Sequence, residues 1–201
     1  MKNWKWHVNK FLVRLHLKKD LRYTFFKNQS LNLAKLKYRD LSYVCFDNVE
    51  ITGGSFKGSN MEYAVITDVK FKNVDFSGVD FSNSYIENCE FSACIFDKAK
   101  VKGCKWVNDE FLSCSFKKAC LSTSNFSKSA FLMSDLANAD LGGSILNDCR
   151  MQGSNLRGVN MTCAQVVNLD FTNVALGSVN LKFVNVKSAK GVTGIEYEGG
   201  D

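Results

Sequence analysis

The sequence predicts a repeat protein whose chain turns a corner about once every five residues, and three observations carry that prediction. Every residue whose number ends in 1 or 6 is apolar from Leu21 to Val186, a run of 34 positions. With 45% apolar residues overall, chance produces such a run roughly once in 10^12 trials. The residue two places before each of these centres, from Leu31 onward, is Ala, Ser, Cys, Val or Gly, with four exceptions: Gln29, Arg39, Asp109 and Leu169. A slot kept this small is a second inward position with little room to spare. Two places after the centre, Gly, Asn and Asp recur, as at Gly53, Gly78, Asn83 and Gly143. These types tolerate positive φ best, as a corner repeated every five residues requires. A period of five suits neither a helix nor a flat strand.

Residues 1–20 precede the repeat. Trp4, Val8, Phe11, Leu12 and Leu15 fall at helical spacing among Lys5, Lys10, Arg14, Lys18 and Lys19. A basic helix capping the open end of the core is the expectation, since an unclosed solenoid needs one. The alternative is an amphipathic helix that contacts a membrane or a partner. Arg14 and His16 interrupt the apolar run, so neither a signal peptide nor a spanning segment is expected. The chain carries a formal charge of +6, concentrated in residues 1–40, where eleven Lys and Arg face only Asp20 and Asp40.

Residues 21–190 carry the repeat. The slot before each centre is mostly polar, as at Asp40, Asn60, Asp80 and Asp140, so the pattern reads A/S/C/V–D/N–L/F–x–x. Ala139-Asp140-Leu141-Gly142-Gly143 and Ser154-Asn155-Leu156-Arg157-Gly158 are two instances. This resembles the pentapeptide-repeat family over nearly the whole chain. The resemblance implies an all-β fold, a right-handed quadrilateral parallel β-helix with four pentapeptides per coil and the central residue inside. Residues twenty apart then stack at about 4.8 Å per coil. One inner column would be Leu31, Ile51, Phe71, Phe91, Phe111, Phe131, Met151 and Phe171, beside a second running from Leu36 through Phe76 and Phe116 to Leu176. Pro is absent, as expected where nearly every amide joins a ladder. Residues 191–201 form a short glycine-rich tail.

Chemistry is sparse. His7 and His16 both precede the repeats, and no motif sets a carboxylate or nucleophile beside them. Cys89, Cys94, Cys104, Cys114 and Cys149 occupy the small inward slot as compact fillers. Cys94 and Cys114 would be stacked neighbours, but parallel side-chain vectors suit a disulfide poorly. No C-x-x-C pair supports zinc, and free thiols imply a reducing, cytoplasmic location. No catalytic residue, metal or cofactor is expected. Asp109 is the odd residue, an acid in a slot normally holding Ala, Ser or Cys; it is expected to bond local backbone amides or to distort its corner outward.

The outward slots are the candidates for function. Val107, Leu112, Leu132 and Met133 are apolar where most outward positions are polar, which suggests a partner or dimer surface. Lys98, Lys100, Lys102, Lys117 and Lys118 form a basic group that suits an anionic partner. The resemblance implies binding rather than catalysis. Its best understood members are dimeric quinolone-resistance proteins, acidic rods that bind DNA gyrase, and others are bacterial effectors delivered into host cells. This chain departs from the gyrase-binding pattern. Lys100 interrupts the column Asp40, Asn60, Asp80, the register leaves no inserted loops, and no C-terminal dimerising helix is visible. The expectation is a non-catalytic protein-binding scaffold of bacterial type, partner unknown. Topoisomerase binding ranks second and effector activity third, with a homodimer as a further possibility and no nucleic-acid motif.

Overall fold

Twenty residues make one turn, because each strand pairs in parallel with the strand twenty positions later. Phe46 aligns with Ile66, Ile66 with Ile86 and Ile86 with Trp106. The computed structural model describes residues 21–33, 36–174 and 178–191, which form an all-strand parallel β-solenoid of about 8 turns. The expected N-terminal helical cap, most of the C-terminal tail and Leu176 of the second inner column lie outside the described residues.

The five-residue period gives each turn four corners. Every non-glycine residue with positive φ among the described residues has a number ending in 3 or 8, including Tyr43 (φ 60), Asn83 (φ 62) and Lys98 (φ 58). An L-residue pays roughly 1–2 kcal/mol for that conformation, so the ladder around each corner must outweigh it. Two corners per turn close a tight hydrogen-bonded loop, as where Val44 N–H donates to Leu41 O at 3.0 Å and Ala99 N–H to Phe96 O at 2.9 Å. Positive φ at the third residue of such a four-residue turn is the type II arrangement.

Two sides of the turn are true strands, such as Tyr85–Glu87 and Glu90–Ser92. The other two are linked by single bridges, such as Asp40 to Asn60 and Asn60 to Asp80. In the first two turns the strands Phe25–Leu33 and Cys45–Gly54 run on through a corner, their pairing carried by Gln29 and Val49. Backbone bonds run between turns on every side: Leu41 N–H donates to Asn60 O, Phe76 N–H to Ile95 O and Phe131 N–H to Arg150 O, each at 2.7 Å.

The core follows from the register. Phe71, Phe91, Phe111 and Phe131 stack with centroids 4.8–4.9 Å apart. Phe56, Phe76, Phe96 and Phe116 form the neighbouring column at 4.6–5.2 Å. The two columns meet edge to face, as in Phe71 against Phe76 at 79°. Each ring therefore gains stacked and T-shaped neighbours besides the 1.5–3 kcal/mol or so that burial supplies. In the first turn Leu21, Phe26, Leu31 and Leu36 are as buried as residues of the middle turns, whereas Leu181 and Val186 of the last turn are only half-buried.

Candidate partner-binding surfaces

The polar slots are used by the fold. Asp40 Oδ1 accepts from the Ser42 N–H at 3.1 Å and from its hydroxyl at 2.8 Å. Asp80 and Asn160 accept the N–H two residues on in the same way, at 3.0 and 3.1 Å. These Asx turns explain the recurring Asp/Asn without any acid–base role. In the small inward slot a serine does two things. Ser134 Oγ donates to Phe111 O, 23 residues back, and accepts from Cys114 N–H, both at 3.1 Å. A cysteine performs only the first, as Cys114 Sγ does to Phe91 O at 3.3 Å. All eight cysteines are free. Burial pushes the Cys104 and Cys149 thiols up to about 12, so they stay protonated and serve as donors and fillers rather than nucleophiles.

The apolar positions expected to form one surface lie on two sides of the rod. Leu112 and Leu132 are direct partners in adjacent strands. Met133 follows at their corner, 63% exposed with φ 49. Val107 sits before the preceding corner, aligned with Glu87 and Ser127. Val107, Leu112 and Leu132 are half-buried. The basic group straddles another corner: Lys98 and Lys118 occupy it, Lys117 lies before it, and Lys100 and Lys102 lie on the next side. Lys117 pairs with Asp135 at 3.1 Å and Lys100 with Asp80 at 3.4 Å, which reduces the charge left for an anionic partner. Among the described residues no cluster of His, Cys, Asp and Glu is placed to hold a metal.

A pentapeptide-repeat region model matches residues 64–141 and a pentapeptide-repeats model matches residues 134–173. The chain belongs to the pentapeptide-repeat family. Curated protein sequences yield no match. Among solved structures, this pentapeptide-repeat chain is similar to full-length QnrB1, a plasmid-mediated fluoroquinolone resistance protein. The identity is 14%, with 81% of this chain and 91% of that one covered and a TM-score of 0.42. It is also similar to HetL of the cyanobacterium Nostoc, a pentapeptide-repeat protein involved in heterocyst differentiation regulation. There the identity is 15%, the coverage 94% and 97%, and the TM-score 0.30. A thylakoid-lumen pentapeptide-repeat protein of Arabidopsis thaliana matches at 18% identity over 47% of this chain and 63% of its own, with a TM-score of 0.38.

Within this pentapeptide-repeat core Asp109 stays inside, 2% exposed, and its corner is not pushed outward. Oδ1 accepts from Cys89 N–H at 2.8 Å, taking the acceptor role of a serine hydroxyl. Oδ2 is buried with no partner. Burial, reinforced by the nearby Glu87 carboxylate, pushes the carboxyl up to about 8. A serine in this slot also donates to the carbonyl 23 residues back, as Ser134 does, a bond that Asp109 Oδ2 does not make. Asp109 thus reproduces the acceptor half of the serine arrangement, and its burial favours the protonated form.

A more exposed surface escapes the sequence argument. Tyr23, Tyr43 and Tyr63 stack along one corner with centroids 4.8 and 5.0 Å apart and planes within 10°. The signal was present, since the three are spaced twenty residues apart. They occupy the slot assigned to Gly, Asn and Asp, where a bulky ring is not looked for.

Proposed function

We propose that the protein is a non-catalytic scaffold that binds another protein through the outward slots of its repeats. The observation that carries this reading is apolar side chains at positions where the fold requires none. Leu112 and Leu132 lie side by side on adjacent strands, with Met133 exposed at their corner. Polar residues fill equivalent slots elsewhere, as at Ser92 and Gln152. An apolar group on a polar rod is the usual mark of a contact. Free thiols throughout the core support a reducing, cytoplasmic compartment.

Affinity capture from the native cell lysate, with wild type and with a Leu112→Lys, Leu132→Lys variant, tests the scaffold. A partner retained by the wild type and lost by the folded variant is the expected result, and no partner for either overturns the reading. Topoisomerase protection is the narrower alternative, and gyrase supercoiling with a quinolone, with and without the protein, decides it. For residues 1–20, liposome sedimentation of the full chain separates membrane contact from end-capping.

A further inference from the structure

The tyrosine ladder stacks three exposed aromatic rings in one outer column. Tyr23 is 72% exposed, Tyr43 44% and Tyr63 46%. Around the same corner, two residues on, Phe25 and Val65 are 56% and 42% exposed, with half-buried Cys45 between them in the column. The fold does not ask for tyrosine here. All three hold positive φ, from 56 to 60, and the next turns place Asn83 and Gly103 at this corner. Ring stacking returns part of that backbone cost but leaves Phe25 and Val65 unexplained.

Charge and spacing together say what fits. Glu62, Asp68 and Glu87 flank the patch without an ion pair to any described residue, whereas Asp47 and Asp80 are neutralised by Lys27 and Lys100. The rim is acidic, so it favours cations and repels an anionic membrane or nucleic acid. The rungs repeat every 4.8–5.0 Å. A helix laid along the rod presents an apolar side chain about every 5.4 Å, a drift of about 1 Å over the two steps between rungs. An extended strand presents one about every 6.7 Å and loses register by roughly 3.5 Å.

Building on the scaffold reading, we infer that the ladder Tyr23–Tyr43–Tyr63, with Phe25, Val65 and its acidic rim, docks a basic amphipathic helix of a partner protein. The apolar stripe of that helix lies along the ring edges, and its Lys or Arg side chains reach Glu62, Asp68 and Glu87.

The test uses the full chain and a fluorescein-labelled 18-residue Leu/Lys helix as probe, read by anisotropy. A Leu/Glu helix and a proline-interrupted Leu/Lys peptide serve as controls. Tyr43→Asn with Tyr63→Asn introduces a residue that the next turn already carries at this corner, and Glu62→Lys reverses the rim without touching the ladder. Expected are micromolar binding of the Leu/Lys helix alone, at least tenfold weakening by the tyrosine pair and by Glu62→Lys, and no change with Leu112→Lys. Equal binding of the acidic or interrupted peptide overturns the inference, as does indifference to the tyrosines. A change in sedimentation on Tyr43→Asn with Tyr63→Asn assigns the surface to a second copy and likewise overturns it. Capture of the native partner by the tyrosine variant removes this surface while leaving the scaffold reading intact.

Discussion

Cys89 donates its backbone N–H to Asp109 Oδ1 at 2.8 Å, the bond that Ala64 makes to the Ser84 hydroxyl at 3.0 Å elsewhere in the rod. A carboxyl here takes the acceptor role of a hydroxyl, in a slot that Ala and Val fill elsewhere with neither acceptor nor donor. Burial holds that carboxyl's proton well above the usual carboxylate range.

Stability should therefore fall as pH rises. In the unfolded chain an aspartate loses its proton near 4, whereas the buried Asp109 holds it up to about 8. Between those values the folded state binds the extra proton. Its contribution is full below about pH 4 and is lost as pH climbs through 8. The loss is on the order of 5 kcal/mol at most. Cys89, Glu87 and Tyr85 are its titratable neighbours. Asp109→Asn keeps an acceptor and a donor without titrating, so its urea midpoint should be flat over that range. A wild-type midpoint that rises from pH 5 to 8 sinks the assignment.

The stacked columns predict a sharp contrast between neighbours. Phe91→Ala opens a cavity between Phe71 and Phe111 and should cost about 3–5 kcal/mol. Ser92→Ala, at a half-exposed slot, should change stability by less than about 0.5 kcal/mol. Equal melting shifts would contradict the inward and outward assignment.

Corner residues should respond to backbone freedom and, where a neighbour is close, to the room left for a Cβ. Ala93 sits at φ 51, where glycine is at ease and alanine is not, so Ala93→Gly should stabilise by about 0.5–1 kcal/mol. Gly158→Ala should destabilise, because its φ is 70 and the new Cβ would lie 2.5 Å from Asn138 Oδ1. Chemical denaturation of the pair measures both signs.

The Leu112 and Leu132 pair offers a test of self-association. If that side is a twofold contact, wild type sediments as a dimer at micromolar concentration and Leu112→Lys with Leu132→Lys sediments as a folded monomer. A wild-type monomer at every concentration removes the dimer, and an unfolded variant means the leucines pack on their own rod.

The core was legible because inward positions obey one rule, and Phe71 above Phe91 follows from the four-pentapeptide turn that the family resemblance implies. The corners were legible too, since Asn83 and Gly103 advertise positive φ. The outer surface was less so. Val107 looked contiguous with Leu112 by proximity in sequence, yet a corner turns between them. Tyr43 and Tyr63 were hidden by the opposite error, being distant in sequence and adjacent in space. The continuous strands Phe25–Leu33 and Cys45–Gly54 had no signal, since their corners carry the same Asn28 and Asn48 that interrupt strands in later turns.

The twenty-residue register also constrains how such a chain can change length. Loss or gain of one whole turn leaves every outer column intact and shifts the rod by one rung. A five-residue change keeps each centre pointing inward, although the rings on either side of it exchange stacking partners. Outside, however, everything beyond the change rotates by a quarter turn. Five residues inserted between Tyr43 and Tyr63 would carry Tyr63 to the next corner and split the ladder, while every phenylalanine still pointed inward. The alignment of three tyrosines on one corner is therefore a property of spacing: a change of twenty residues keeps it, and a change of five breaks it.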